Sequence, residues 1–157
     1  MSVALAFGSD HKGFVLKEFL LDHFDDLTKG HDRPGSFVDV GCFSKDSVDY
    51  NDYAVQVAGC LRDRLATHGV LICNSGIGIS MAANRYPWVR AALCHDIDAV
   101  RQARQHNDAN VLVLGAALIT PELALAMLQA FLTTDFEGAK ADGQRHQRRV
   151  DKLSNPA

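Results

Sequence analysis

Five short runs of apolar residues recur along the chain, and longer amphipathic stretches separate them. The runs cover residues 3–7, 37–40, 70–73, 89–94 and 111–114. They are continuous rather than alternating, which is typical of strands that are buried on both faces of a parallel sheet. Strand–helix alternation over the whole chain therefore predicts a Rossmann-like three-layer α/β/α sandwich with a five-stranded parallel sheet.

The stretches between these runs have the spacing of amphipathic helices. Thr120 is a predicted helix cap, and Pro121 falls in the first turn that follows it. The basic segment 142–153 is predicted to form a C-terminal helix, and residues 28–36 a surface loop. Three apolar helix stripes are predicted, namely Leu16, Leu20, Phe24 and Leu27; Ala54, Val57, Ala58, Leu61 and Leu65; and Ile119, Leu123, Met127, Ala130 and Phe131.

Length and composition restrict the class of protein. The 157 residues, 47% of them apolar and 22% charged, suit a single domain that covers 1–157. A net charge of −3 gives no general attraction to nucleic acid or to an anionic membrane. The first apolar run is too short for a signal peptide or a membrane span, and the four cysteines form no C-x-x-C pair. A cytosolic protein with reduced thiols is expected.

The segment 71–80 is the strongest candidate for chemistry, because parallel sheets bind ligands at the carboxyl ends of their strands. A predicted strand ends at Cys73, a glycine-rich turn follows, and a helix is expected to begin near Gly76. Backbone N–H groups of such a turn can hold an anion or a developing oxyanion, and they favour the thiolate form of a nearby cysteine. The alternative is a cysteine that packs at the strand end as a small apolar residue.

The same segment resembles part of a dinucleotide-binding fingerprint. Gly76 and Gly78 supply a G-x-G pair, and Asp96 follows twenty positions after Gly76. Met81 replaces the third glycine and is expected to crowd the contact between helix and strand. The pair also follows the third predicted strand rather than the first, which weakens the nucleotide hypothesis.

Three other polar segments have both a chemical and a structural interpretation. Asp10 and His11 could orient a hydroxyl and move a proton, or Asp10 could cap a helix beside a solvent-facing His11. Residues 105–110 could grip sugar hydroxyls or form a polar turn. Arg145 and Arg149 share a helix face and suit a phosphate, or they form a solvated basic face. The histidine spacing predicts no metal site.

The motifs gain specificity from their order along the chain. The segments 6–14, 48–54, 73–84, 104–111 and 143–150 together resemble the B-type ribose-5-phosphate isomerase family, which includes allose-6-phosphate and galactose-6-phosphate isomerases. The resemblance implies a cofactor-free interconversion of ribose 5-phosphate and ribulose 5-phosphate, a pentose phosphate pathway reaction, through an enediolate. It also implies a homodimer or homotetramer whose sites are completed across the dimer interface.

The resemblance also implies a role for individual residues. Cys73 is the expected base, because residues 79–80 offer no carboxylate, and Ser75 assists the proton transfer. Asp10 and His106 are expected to open the sugar ring and contact hydroxyls. The remaining implied substrate contacts are His11, Arg145 and Arg149 at the phosphate, Tyr50 and Asn107 near the sugar, and Asn74, Gly76, Ile77 and Gly78 in the turn.

One position departs from the family pattern. Ala117 stands where many relatives carry an arginine, so one phosphate contact is missing or comes from another residue such as Arg148. Two alternatives therefore stay open beside the pentose phosphate reaction. One is the same mechanism on a six-carbon sugar phosphate, and the other is a nucleotide-binding module without catalysis.

Overall fold

The computed structural model describes residues 4–28 and 35–155. No helix in these two ranges is both long enough and apolar enough to cross a membrane. The strands are β1 (Ala4–Ser9), β2 (Ser36–Asp39), β3 (His68–Cys73), β4 (Ala91–Leu93) and β5 (Val111–Gly115). The helices are α1 (Phe14–Asp22), α2 (Phe24–Thr28), α3 (Tyr50–Arg62), α4 (Ile77–Ala83), α5 (Ile97–Asn107), α6 (Pro121–Thr133) and α7 (Gln144–Ser154), with a 3₁₀ turn at Glu137–Ala139.

The five strands form one parallel sheet in the order β2-β1-β3-β5-β4. This confirms the predicted five-stranded parallel sheet. Ser9 pairs with Ile72, and Cys73 pairs with Gly115, so the carboxyl ends of β1, β3 and β5 lie side by side. A ligand crevice is expected at this edge, because α1 and α4 leave β1 and β3 toward opposite faces of the sheet.

Helices cover both faces of the sheet, which confirms the three-layer architecture. Strand side chains alternate between the two faces, as the pleat of a β-sheet requires. One core layer packs α1, α2, α5 and α6 against Leu5, Phe7, Val70, Ile72, Leu112 and Leu114. The other packs α3 and α4 against Ala6, Leu71, Cys73, Val111 and Val113. The Cys73 side chain therefore lies on the α3–α4 side of the sheet.

Most helix predictions are confirmed, with shifted boundaries. The first stripe is buried, but the chain breaks at His23 into α1 and α2. Leu65 was wrongly assigned to a buried stripe, because α3 ends at Arg62 and the Leu65 side chain is 61% exposed. Thr120 caps α6 as predicted by accepting a hydrogen bond from the Leu123 N–H.

Two predicted segments differ in extent. The C-terminal helix α7 begins at Gln144, two residues after the predicted start. The run 89–94 contributes only three residues to strand β4. The predicted loop 28–36 falls mainly outside the described residues, with α2 ending at Thr28 before the gap and β2 beginning at Ser36 after it.

Candidate active site

Cys73 ends strand β3 and is nearly buried, with 4% of its surface exposed. Its Sγ accepts a hydrogen bond from the Gly76 N–H at 3.2 Å. Gly76 has φ +77°, and a Cβ at this position would overlap the Leu93 side chain and lie 3.2 Å from the Leu114 carbonyl. Only glycine fits there, because an L side chain strains this backbone conformation and has no space.

Backbone hydrogen bonds from the segment after β5 hold the turn in place. The Ala116 N–H donates to the Cys73 carbonyl at 2.9 Å, and the Ala117 N–H donates to the Asn74 carbonyl at 3.0 Å. The Ser75 Oγ accepts from the Ile77 N–H at 3.3 Å. The turn is therefore anchored before any ligand arrives, and its Gly76 N–H points at the Cys73 thiol.

Tyr50 covers this turn from the start of α3. A Cβ added to Gly78 would lie 2.6 Å from the Tyr50 ring, so the ring rests directly on the glycine backbone. The Tyr50 side chain is half-buried, while Asn74 and Ile77 are exposed. The wall beside Cys73 therefore combines an aromatic ring with the polar groups of the turn.

Asp10 and His11 follow β1 at the same edge of the sheet. The Asp10 Oδ1 accepts from the N–H groups of Lys12 at 2.9 Å and Gly13 at 3.0 Å in the turn before α1, but the helix cap itself is Gly13 rather than Asp10. The Asp10 N–H donates to the Ile72 carbonyl at 3.1 Å, so this turn lies against the end of β3. The His11 Nδ1 accepts from the Val48 N–H at 3.2 Å, which leaves Nε2 as the donor nitrogen of that ring.

His106 and Asn107 lie at the opposite edge of the sheet. They form the last turn of α5, which runs back from the carboxyl end of β4 to the amino end of β5. The Arg90 N–H, just before β4, donates to the Asn110 Oδ1 at 2.7 Å and marks this amino edge. The five residues of β5 span about 13 Å, so the length of the strand separates His106 from Cys73 within one chain.

Arg145 and Arg149 lie close to His106 rather than close to Cys73. Helix α7 turns His146 and Val150 inward and leaves both arginines exposed. Within the described residues, neither guanidinium takes part in a hydrogen bond or an ion pair. The His146 ring stacks on the His106 ring with centroids 4.5 Å apart and planes 4° apart.

The electrostatic surroundings of His146 are positive. Burial lowers the pKa of His146, and the nearby charges of Arg145, His106 and Arg149 lower it further, while Glu137 opposes the shift. A surface with two unpaired guanidiniums beside two imidazoles suits an anion such as a phosphate.

A cluster of two histidines and a glutamate lies at this amino edge, and the spacing of these residues in the sequence did not predict it. His106, Glu137 and His146 have ligand atoms within 4.8 Å of one another, although three separate elements contribute them. The two rings are parallel, so their in-plane lone pairs run side by side and do not converge on one point. The Lys140 Nζ lies 3.5 Å from the Glu137 Oε1 and adds positive charge. This geometry suits a stacked histidine pair better than tetrahedral metal binding.

The predicted crowding by Met81 is wrong. Met81 was expected to crowd the contact between α4 and the sheet, but its side chain is 66% exposed. The residues of α4 that pack inward are Ile79 and Ala83. Met81 therefore gives no reason to reject a dinucleotide fingerprint, and the position of the glycine pair after β3 is the remaining objection.

The predicted site residues thus form two groups in one chain. The carboxyl-edge group contains Cys73, Ser75, Asp10, His11 and Tyr50, with the turn residues Asn74, Gly76, Ile77 and Gly78. The amino-edge group contains His106, Asn107, Arg145 and Arg149. Each group is internally close, and the length of the sheet separates them.

Comparison with known proteins identifies the family. The family model for Ribose/Galactose Isomerase matches residues 5–153. The chain is 38% identical to the ribose-5-phosphate isomerase B of Escherichia coli (strain K12), covering 96% of this chain and 93% of that protein. A ribose 5-phosphate isomerase structure from Thermotoga maritima matches with a TM-score of 0.87 at 42% identity, covering 98% of this chain and 99% of the other. The type B ribose 5-phosphate isomerase structure from Trypanosoma brucei matches with a TM-score of 0.90 at 37% identity, covering both chains fully. The chain therefore belongs to the Ribose/Galactose Isomerase family.

Proposed function

We propose that this protein is an aldose–ketose isomerase that interconverts ribose 5-phosphate and ribulose 5-phosphate, with Cys73 as the base. Relatives that bear this activity in their names match nearly the whole chain. The observation that carries the proposal is the Cys73 thiol at the carboxyl end of β3, in contact with the Gly76 N–H. Asp10 and Tyr50 border the same crevice.

The chemistry requires a base, an oxyanion site and a remote charge anchor. The Cys73 thiolate takes the proton from carbon 2 of the open-chain aldose, and negative charge develops on the oxygen at carbon 1. Backbone N–H groups of residues 74–78 stabilise that charge. The thiol then returns its proton to carbon 1, while the hydroxyl proton passes from oxygen 2 to oxygen 1 with help from Ser75. No cofactor is needed, because the two carbons exchange oxidation level within one molecule.

Other residues of the crevice suit substrate binding. The Asp10 Oδ1 is occupied by two backbone N–H groups, so the second carboxylate oxygen is the one available to a sugar hydroxyl. The His11 Nε2 is free to donate to the phosphate. From the partner subunit, Arg145 and Arg149 supply the charge that holds the phosphate, and this binding energy keeps the open-chain sugar in position for the reaction.

The separation of the two groups supports a shared site. In a homodimer with antiparallel subunits, the carboxyl-edge group of one subunit faces His106, Asn107, Arg145 and Arg149 of the partner subunit. Exposed apolar side chains lie beside the Cys73 turn and suit such an interface, namely Ile77, Met81 and Leu118. A tetramer built from two such dimers would keep the same sites. His106 of the partner would then open the sugar ring.

Residues 1–157 form one isomerase domain, since the family match spans residues 5–153. The protein works in the cytosol, where phosphorylated sugars are retained because their charge prevents passage through membranes. A six-carbon sugar phosphate is the second candidate substrate, because the exposed Ala117 at the carboxyl edge leaves room that a longer side chain would fill.

Substrate choice and the role of the base are tested together. Purified protein is assayed with ribose 5-phosphate, allose 6-phosphate and galactose 6-phosphate, beside the variant Cys73→Ala. We expect the highest kcat/KM for ribose 5-phosphate, and a loss of turnover of at least about a hundredfold in the variant, within the range of a general base. Substrate binding and folding should persist in the variant. Near-normal turnover by Cys73→Ala would refute the mechanism.

Complementation tests the shared site. Cys73→Ala and His106→Ala are each expected to be inactive, but mixed dimers would restore one intact site of two. Random exchange of equal amounts gives half mixed dimers, hence about a quarter of wild-type activity. The matched control mixes Cys73→Ala with Asp10→Asn, which both change the carboxyl-edge group and should restore nothing. Recovery in the control, or none in the test, would contradict the shared site.

A further inference from the structure

Lys17 is a charged residue that the proposed reaction does not use, yet its side chain is fully buried. Its Nζ donates to the Asp39 Oδ2 at 2.6 Å and to the Glu18 Oε1 at 2.7 Å. The rings of Phe14 and Phe43 lie 5.6 and 5.5 Å from the same nitrogen. Desolvating an ammonium group costs free energy, so a buried lysine at this position needs a physical explanation.

The ion pair fixes the start of the segment that links β2 to α3. The second carboxylate oxygen of Asp39, Oδ1, accepts from the Gly41 N–H at 2.9 Å. The Gly41 carbonyl accepts from the Ser9 N–H at 2.7 Å, and the Ser9 carbonyl accepts from the Cys42 N–H at 2.9 Å. Residues 40–49, here called the wall segment, are thereby joined to the last residue of β1, immediately before Asp10.

The far end of the wall segment contacts groups that are assigned to substrate binding. Its Val48 N–H donates to the His11 Nδ1, which orients the donor nitrogen of that ring. The segment then leads directly into Tyr50, whose ring rests on Gly78 of the Cys73 turn. Two groups assigned to substrate binding, His11 and Tyr50, therefore depend on where this segment lies.

We propose that Lys17 and Asp39 are positioning residues, which place the wall segment and through it His11 and Tyr50. A buried ion pair contributes little net stability compared with an uncharged pair of similar shape. The pair does impose one geometry on the chain, because the buried ammonium group needs its carboxylate partners within hydrogen-bond distance. The inference rests on the proposed function, since it assigns the pair a consequence for substrate binding.

The experiment removes both charges while it keeps both side-chain shapes. The double variant Lys17→Met/Asp39→Asn leaves no unpaired buried charge, and an asparagine oxygen can still accept from the Gly41 N–H. The matched control is Arg62→Met/Asp63→Asn, which removes a more exposed ion pair at the end of α3. Both are compared with wild type by steady-state kinetics, by urea unfolding and by hydrogen exchange resolved to the wall segment.

We expect a KM effect without a matching kcat effect. The KM for ribose 5-phosphate should rise about tenfold in the double variant, because a tenfold weaker affinity corresponds to the loss of roughly one hydrogen bond. The kcat should stay within about twofold of wild type. Amides of residues 40–49 should exchange at least about tenfold faster, because a lost contact of that size shifts local opening by that factor. The unfolding midpoint should not change, and the control should match wild type throughout.

Each other outcome overturns the proposal. Unchanged KM and unchanged exchange would show that the segment holds its place without the pair. A double variant that fails to fold, or a parallel fall in kcat, would assign the pair to general stability instead. Hydrogen exchange needs no substrate, so it decides the positioning role even if the wild-type protein fails to isomerise ribose 5-phosphate, which would refute the proposed function separately.

Discussion

Replacing Gly76 with alanine adds a single methyl group at a point where the backbone and its neighbours leave no space. The residue has φ +77°, a conformation that costs an L residue about 1–2 kcal/mol. The new Cβ would also overlap Leu93 and lie 3.2 Å from the Leu114 carbonyl, which is backbone and cannot rotate away. Overpacking of this kind costs about 1–3 kcal/mol. Together the two effects lower the free energy of unfolding by about 2–5 kcal/mol.

The same substitution should impair catalysis through the turn. To relieve the overlap, the turn must move, and the Gly76 N–H then leaves the Cys73 Sγ that it now contacts at 3.2 Å. We expect kcat to fall by more than about tenfold in the fraction of protein that folds, because one stabilising donor is displaced. Urea unfolding followed by circular dichroism gives the stability, and initial rates with ribose 5-phosphate give the activity.

Gly59 provides the matched control for this prediction. It lies in the last turn of α3, and a Cβ added there meets no atom within 4 Å. Gly59→Ala therefore adds the same methyl group in open space and should stabilise the protein by about 0.5–1 kcal/mol, because alanine is the better helix former. If Gly76→Ala unfolds within about 0.5 kcal/mol of wild type, the tight fit of the turn is refuted.

Two further predictions concern stability. Burial, with the charge of Asp96 nearby, raises the pKa of Cys94 from 9.0 to about 11, so the unfolded chain loses this proton first. The free energy of unfolding should therefore fall as pH rises from about 9 to about 11, and urea titrations across this range should show a smaller fall in Cys94→Ala. Thr120→Ala should lower the free energy of unfolding by about 1 kcal/mol, because the cap on the Leu123 N–H is lost. Thr133→Ala, which removes only a bond back to the Gln129 carbonyl, should change it by less than about 0.5 kcal/mol in the same unfolding assay.

The sheet and the Cys73 turn were predictable from local patterns. Continuous apolar runs identify strands that are buried on both faces, and a glycine-rich turn after such a run identifies the carboxyl edge. The strand order was not predictable, because hydrophobic periodicity contains no information on pairing. The fully buried β5 lies inside the sheet, whereas the half-buried β4 forms its edge.

The placement of the predicted site residues at two edges of the sheet could have been predicted from the sequence. His106 and Asn107 precede β5, and a residue that precedes a strand of a parallel sheet lies at the amino edge, opposite Cys73. The contact between His106 and His146 had no local signal, because the two residues are far apart in sequence. Lys17 was missed because lysine is usually exposed, although it lies three residues before Leu20 and shares the inward face of α1.

The length of the strands has a consequence for the arrangement of the proposed dimer. In that proposed dimer each subunit would give its carboxyl edge to one catalytic centre and its amino edge to the other, so the length of the sheet would set the distance between the two centres. Inserting a residue into β5 would add about 3.3 Å to this distance, and it would turn every later side chain of the strand to the opposite face of the sheet. Loops at either edge can change in length without moving one centre relative to the other. In the proposed dimer the spacing of the two centres would thus be determined by the core of each subunit, while the chemistry at each centre would depend on the surface where two subunits meet.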